Sequence, residues 1–142
     1  MKKKIIIAVW WVLVAVCMGV IFYLSAQDGG TSEALSDEVK TVFGIPVAIN
    51  IIRKGAHFLE FAGLAFLVFN ALRATCGRNR PALSFFITAA YAVSDEIHQL
   101  FVEGRACRIF DVFVDSCGAA AAILFMMFIF SVWEKRRLYD RK

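Results

Sequence analysis

The sequence lacks the patterns that identify the common cofactor and nucleotide sites. It has four cysteines but no C-x-x-C pair and no zinc-like spacing, so we expect no thiolate metal site. It has no glycine-rich phosphate loop, no low-complexity tract and no repeat of about 20 to 50 residues, which favours a single domain without a soluble module. No base-stacking or groove-reading motif is present, so we expect no nucleic-acid partner.

Charge is absent from a long stretch near the N-terminus. Residues 5–24 hold no charged side chain and follow Lys2, Lys3 and Lys4. About twenty apolar residues match a hydrocarbon core about 30 Å thick, and this run is longer than the apolar core of about 7 to 15 residues in a secretory signal. Hydrophobic residues make up 60% of the chain, more than a soluble domain usually carries. The sequence therefore predicts a membrane protein with a first span at residues 5–24.

Further apolar stretches predict spans at about residues 54–72, 82–101 and 111–133. Between the first two spans, residues 31–43 combine an N-capped start with apolar residues at helical spacing, which predicts a short amphipathic helix at the membrane surface or against the bundle. Gly44 and Pro46 end that helix. The predicted fold is therefore all-α. We expect an integral membrane four-transmembrane-helix bundle with a short extracytoplasmic amphipathic helix, forming one domain over residues 1–142.

The distribution of lysine and arginine predicts the orientation of this bundle. With both termini and the loop at residues 73–81 in the cytoplasm, that side holds 11 of the 16 basic residues and two of the 12 acidic ones. Positive charge is retained on the cytoplasmic side of membranes. We therefore expect a multi-pass protein of the cytoplasmic membrane with both termini cytoplasmic, and its high isoelectric point reflects this topology.

In this topology eight polar side chains share the extracytoplasmic end of the bundle. In the second and fourth spans a spacing of three or four residues puts them on one helix face, and in the third span the three polar residues occupy an arc of about 100°. Glu60 and Asp95 are both expected roughly 9 Å below the outer boundary, so they could meet. Gly118 lies close to Asp115, and its missing side chain would let another helix or a ligand approach. The eight are Lys54, His57 and Glu60 in the second span, Asp95, Glu96 and Gln99 in the third, and Asp111 and Asp115 in the fourth.

Carboxylates within a membrane need partners, water or a function, because one near the bilayer centre costs about 2.5 to 3.5 kcal/mol. One interpretation is structural: Lys54 bridges a carboxylate, and Arg105 or Arg108 bridges Asp111, so that ion pairs close the bundle. The other interpretation is functional. The group holds five carboxylates and few cations, which is more charge than specific packing of the helices requires. His98 is expected to face the headgroups instead.

Four segments at these residues carry a recognisable order of motifs: Leu24 to Gln27, Lys54 to Phe61, Ser94 to Arg105 and Asp111 to Ala119. They resemble the successive motifs of VanZ-like membrane proteins, a family named after a teicoplanin resistance protein. Glu103 stands where a proline is common in that family, and Asp115 where an asparagine is common. The resemblance implies a bacterial inner-membrane protein, linked in some members to lowered susceptibility to lipoglycopeptides.

These observations favour a site that binds or processes the headgroup of an anionic lipid or lipid-linked cell-envelope precursor. Membrane lipids or a lipid-linked cell-wall precursor are the expected partners. If the site is catalytic, its proton-handling residues are expected to be His57, Glu60, Asp95 and Glu96. The residues expected to bind the substrate are Lys54, Gln99, Arg105, Asp111, Asp115, Ser25 and Gln27.

The sequence leaves open whether the protein is an enzyme. No serine or cysteine nucleophile stands in the cluster, so catalysis would need a water activated by a carboxylate. The sequence identifies no cofactor, although a divalent cation held by oxygen ligands would suit that water. A binding or transport module without chemistry, and an accessory protein whose charged cluster is structural, are the alternatives. The oligomeric state and a disulfide between Cys107 and Cys117 are also left open.

Overall fold

A computed structural model describes residues 2–27, 49–102 and 108–139 of the chain. This part of the chain forms four helices, α1 (Lys2–Ser25), α2 (Ile49–Cys76), α3 (Pro81–Gln99) and α4 (Ile109–Tyr139). It contains no strand, so the predicted all-α class is confirmed for these residues. The predicted amphipathic helix at residues 31–43 lies outside the described residues.

Three of the four helices are long and apolar enough to cross a membrane: α1, α2 from Arg53 onward, and α4 as far as Arg137. The remaining helix, α3, has 19 residues and would cover about 28 Å at the usual helical rise. Its second half carries two acidic residues, which lower its hydropathy. Three spans are therefore supported by length and composition, and the fourth stays a prediction.

Three of the four helices extend beyond the predicted spans, while α3 ends at Gln99, two residues before its predicted limit of 101. Helix α2 begins at Ile49 and α4 ends at Tyr139, whereas the apolar pattern predicted 54 and 133 as the corresponding limits. A helix does not stop where its apolar residues stop, because long charged side chains near its ends can reach water while the backbone stays helical.

Contacts at the helix ends set the direction in which α1 runs relative to its neighbours. Trp11 Nε1, early in α1, donates a hydrogen bond to Thr75 Oγ1 near the end of α2 at 3.1 Å. Ser25 Oγ, at the end of α1, donates to Asp95 Oδ2 near the end of α3 at 2.7 Å. Helix α1 is thus antiparallel to α2 and parallel to α3.

Helices α2 and α4 run in the same direction. Lys54 Nζ lies 3.2 Å from Asp111 Oδ1 near their starts, and the Arg73 guanidinium lies 3.7 Å from the Phe130 ring centre towards their ends. The chain therefore passes up and down through the bundle. One end, named here the polar end, holds the ends of α1 and α3 and the starts of α2 and α4. The other is named the basic end.

Helix α2 is the centre of the apolar core, because it contributes to both buried clusters. One cluster joins α1, α2 and α3, and the other joins α2 and α4. The first contains Val14, Ile21, Phe61, Leu64, Val68, Ala71, Leu72 and Ala92. The second contains Ala65, Phe69, Ala119, Ile123 and Met126.

The outer surfaces of α1 and α4 are apolar and exposed. Only Val14, Ile21 and Ser25 of α1 are buried, while large hydrophobic side chains such as Val12, and Phe128 in α4, are exposed. A surface of this kind is costly in water but suits contact with lipid tails. The exposure pattern therefore agrees with a membrane protein.

Helices α2 and α4 cross in direct backbone contact next to the polar residues. A Cβ built on Gly118 would lie 2.2 Å from the carbonyl oxygen of Phe58. No residue with a side chain fits there, since real Cβ atoms do not approach an oxygen so closely. From the sequence we expected Gly118 to let another helix or a ligand approach. In the structure it is helix α2 that approaches Gly118.

Candidate polar site at one end of the bundle

Asp95 joins α1 to α3 and is 2% exposed. Its Oδ2 accepts hydrogen bonds from Ser25 Oγ at 2.7 Å and from Gln99 Nε2, one turn further along α3, at 3.1 Å. Its Oδ1 is buried and accepts no hydrogen bond from any residue that the structure describes. Since a carboxylate oxygen is a strong acceptor, Asp95 is half satisfied by its protein neighbours.

A second buried carboxylate belongs to Asp115 of α4, also 2% exposed. Its Oδ1 lies 3.9 Å from His57 Nδ1, and no donor within the described ranges makes a hydrogen bond to that oxygen. His57 Nδ1 lies 3.8 Å from Glu60 Oε2 as well. Both distances exceed a hydrogen bond, so His57 sits between two carboxylates without bonding directly to either through Nδ1.

The ion pair between Lys54 and Asp111 lies at the rim of this group. The two side chains are 34% and 24% exposed, so water reaches both side chains, while Asp111 Oδ1 itself is buried. Lys54 Nζ also lies 4.1 Å from the ring centre of Phe110, a cation–π distance. This is the kind of pair that the structural interpretation of the sequence expected for Lys54.

Glu96 links the end of α3 to the start of α4. It is 2% exposed, and its Oε1 accepts a hydrogen bond from the backbone N–H of Arg108. The carbonyl of Arg108 in turn accepts from the Asp111 N–H at 2.8 Å, at the first turn of α4. A carboxylate at a helix N-terminus is stabilised by the unpaired N–H groups there. Glu96, which the sequence grouped with the proton-handling residues, therefore anchors α4.

Together these residues form one cluster of negative charge. Glu60, Asp95, Glu96 and Asp111 are all near enough to Asp115 to act on it electrostatically. Helices α2, α3 and α4 therefore bring together the five carboxylates that the sequence singled out. Within the described ranges, no three side chains of His, Cys, Asp or Glu converge as ligands for one metal ion, and the divalent cation stays a prediction.

Two expected site residues lie at or beyond the edge of the described structure. Gln27 follows the last turn of α1, where its N–H bonds to the Leu24 carbonyl at 3.2 Å. Arg105, expected to bind an anion, falls outside the described residues, as does Cys107. The assigned roles of all these residues in binding or catalysis stay predictions.

A polar stripe on α3 was missed by the sequence reasoning. Tyr91 Oη donates a hydrogen bond to the Met18 carbonyl at 2.6 Å, and the His98 ring stacks on Phe22 with centroids 4.1 Å apart. The His98 ring thus packs against α1, and the headgroup position that the sequence favoured for His98 stays a prediction. Tyr91, Asp95 and His98 follow the i, i+4, i+7 spacing of one helix face, and that spacing could have identified the seam with α1.

A family model described as VanZ/LLP1 matches residues 10–131. The match includes the whole polar end and leaves out only the first turns of α1 and the last turns of α4. Comparison with curated proteins and with solved structures gives no match. Because the family model covers most of the 142 residues and includes every motif that carried the sequence resemblance, the chain belongs to the VanZ/LLP1 family.

Proposed function

We propose that the polar end binds the headgroup of an anionic membrane lipid or lipid-linked cell-envelope precursor. The observation that carries this proposal is a pair of buried carboxylate oxygens, Asp95 Oδ1 and Asp115 Oδ1, which no described residue supplies with a hydrogen bond. A buried acceptor without a donor is costly. Hydroxyl or ammonium groups of a headgroup are donors that would remove this cost.

The balance of charge narrows the class of headgroup. Five carboxylates repel a bare phosphate, whereas Lys54 stands at the water-accessible rim and can meet one. Arg105, which lies between α3 and α4 in the sequence, is the second cation expected there. A headgroup that carries a phosphate next to sugar or polyol hydroxyls suits both parts of the site, with its phosphate at Lys54 and its hydroxyls at Asp95 and Asp115.

Chemistry on the bound headgroup would depend on His57. Its Nδ1 lies within 4 Å of both Glu60 and Asp115, which suits a group that takes up a proton during a reaction. The non-catalytic alternative, binding or transport by a largely structural cluster, draws support from the Lys54–Asp111 ion pair and from the anchoring contact of Glu96.

Binding in lipid nanodiscs tests the proposal. The ligand is a labelled polyprenyl-phosphate-linked sugar, measured with wild type, Asp95→Asn and Lys54→Gln. Ser94→Ala is the matched control, because Ser94 neighbours Asp95 but is exposed, and its hydroxyl bonds to the Tyr91 carbonyl of its own helix. We expect both site variants to bind about tenfold or more weakly, as expected for a lost charge-assisted hydrogen bond, at unchanged thermal stability. Wild-type affinity in both site variants would remove the proposal.

The same preparations distinguish binding from catalysis. Product formed from the labelled lipid by wild type and not by His57→Gln would make the protein an enzyme, while binding without product would leave a binding or transport module. The proposal also includes lowered glycopeptide susceptibility. Cells that express wild type are therefore expected to grow at a higher teicoplanin concentration than cells that express Asp95→Asn.

We further propose that the protein lies in the bacterial inner membrane with both termini cytoplasmic and the polar end outside. Cys76, exposed at the end of α2, reports on the basic end. In single-cysteine proteins in intact cells, a membrane-impermeant maleimide should modify Cys107 and spare Cys76 until lysis. The reverse pattern would turn the polar end towards the cytoplasm.

A further inference from the structure

The basic end holds a cleft that the proposed function does not use. It has a volume of about 340 Å³ and lies between the ends of α2 and α4. We name it the basic cleft. Its main lining residues are Arg73, Arg78, Phe130, Trp133, Glu134 and Arg137.

Aromatic rings hold two of the three guanidinium groups. Arg73 lies over the Phe130 ring at 3.7 Å from its centre, and Arg137 lies over the Trp133 ring at 4.6 Å. A guanidinium stacked by its face keeps its in-plane N–H donors available for an anion. Among the described residues, no carboxylate forms an ion pair with any of the three arginines.

The cleft therefore carries surplus positive charge. Three arginines face one carboxylate, that of Glu134. The C-terminal ends of α2 and α4 carry partial negative charge, which favours arginines at this position. This partial charge is smaller than the two net positive charges that remain. An anion in the cleft would complete the balance.

The position of the cleft points to a lipid rather than a soluble anion. Trp133 is 52% exposed at the end of a candidate span, and tryptophan concentrates at the headgroup level of membranes. Basic pockets between helices on the cytoplasmic side bind anionic headgroups. The volume is at the lower limit of ligand pockets, which suits a headgroup with its acyl chains outside.

We propose that the basic cleft binds the phosphate of an anionic phospholipid headgroup from the leaflet at the basic end, which is the inner leaflet in the expected topology. Arg73 and Arg137 hold the phosphate, and Arg78 adds charge at the open side. Trp133, Glu134 and Arg137 lie beyond residues 10–131 matched by the family model. Arg73, Arg78 and Phe130 lie within the matched residues. The cleft lies at the opposite end of the bundle from the polar end.

Retention of lipid by the purified protein tests this proposal. Delipidated protein is incubated with phosphatidylglycerol or with neutral phosphatidylcholine, and the bound lipid is counted by native mass spectrometry. We expect wild type to prefer phosphatidylglycerol, and Arg137→Gln to weaken its binding about tenfold or more. Arg136→Gln is the matched control, because it removes the same charge one residue away and Arg136 does not line the cleft; it should bind like wild type.

Two results would overturn the proposal. Equal loss in Arg136→Gln and Arg137→Gln would mean that lipid responds to the overall charge of this end. Thermal stabilisation of wild type by inorganic phosphate equal to that by phosphatidylglycerol would identify a free phosphate as the ligand. Arg78→Gln, at an exposed position, provides a second cleft variant if Arg137→Gln does not fold. Asp95→Asn should retain phosphatidylglycerol at the cleft, so failure here leaves the polar-end proposal intact.

Discussion

The two ends of the bundle carry opposite charge and hold it in different ways. At the polar end, Asp95, Glu96 and Asp115 are each 2% exposed, so helices and hydrogen bonds surround the carboxylates. At the basic end, Arg78 and Arg137 are exposed, and the guanidinium groups of Arg73 and Arg137 contact aromatic rings. Charge at the polar end is thus part of the interior, while charge at the basic end lies at the surface.

This difference determines what a substitution at each end should change. A buried charge depends on each neighbour that hydrogen-bonds to it, so removing a neighbour destabilises the fold. An exposed charge is solvated already, so removing it changes binding more than stability. We therefore expect the loss of a neighbour of a buried carboxylate to lower stability at the polar end, and the loss of an arginine to lower anion binding at the basic end.

The largest effect is expected for Gly118→Ala. The added Cβ would meet the Phe58 carbonyl oxygen at 2.2 Å and its carbon at 3.0 Å, so α2 and α4 must separate. We expect a loss of about 3 kcal/mol or more in the free energy of unfolding, at the upper end for overpacking, measured by thermal unfolding in detergent. Gly63→Ala is the control, since nothing lies within 4 Å of its Cβ position.

The basic end offers a contrasting glycine. Gly77 has φ of 70°, and open space surrounds its Cβ position. Gly77→Ala should cost about 1 to 2 kcal/mol from backbone strain alone. If Gly118→Ala were as stable as wild type, α2 and α4 would separate freely at the polar end. The close helix contact at Gly118 would then have no more effect on stability than the open surroundings of Gly77.

The next effect concerns the buried hydrogen bond from Ser25 to Asp95. Ser25→Ala removes a donor from a buried carboxylate whose other oxygen accepts no bond from the described residues. We expect a loss of about 1 to 3 kcal/mol, and a smaller loss in the Asp95→Asn background, where no charge is left. Ser94→Ala should be neutral. Equal losses in both backgrounds would mean that Ser25 contributes by packing and that the carboxylate does not need it.

A smaller effect of opposite sign is expected for Asp115→Asn. The substitution keeps the shape of the side chain and removes one of five mutually repelling carboxylates. We expect the free energy of unfolding to rise by about 1 kcal/mol or more, because two like charges about 4 Å apart repel by about 1 kcal/mol in water and by about 4 kcal/mol at an effective dielectric constant of about 20. A loss of stability would instead show that His57, 3.9 Å away, needs the negative charge of Asp115.

Much of this contrast follows from the sequence, because helix periodicity and the positive-inside rule act locally. The three-residue spacing of Lys54 and His57 put them on one face of α2, and both face α4 through Asp111 and Asp115. The two termini and the loop at residues 73–81 also contain few carboxylates, which distinguished the basic end from the polar end. Both features can be read from the spacing of residues along one helix and from the number of charges in each connecting segment.

Partner choice between helices did not follow from the sequence, because spacing along one helix does not determine its rotation against the next. The bond between Tyr91 and Met18, the stacking of His98 on Phe22, and the anchoring of α4 by Glu96 all depend on that rotation. The basic cleft was missed for the same reason. In the sequence its arginines indicated only the orientation of the bundle. The cleft itself forms where the ends of α2 and α4 pack together, which the sequence does not show.

The smallest effect is expected for the ion pair of Lys54 and Asp111, which belongs to the polar end but is water-accessible like the charges of the basic end. Its side chains are 34% and 24% exposed, so the coupling energy should be about 0.2 to 1 kcal/mol, the range of solvated pairs. A double-mutant cycle with Lys54→Gln and Asp111→Asn measures that energy, and it should fall when salt is added. Arg78→Gln, at the exposed basic end, is the reference and should leave stability unchanged. A coupling energy above about 3 kcal/mol would show that the pair behaves like a buried ion pair. The rim of the polar end would then resemble its interior.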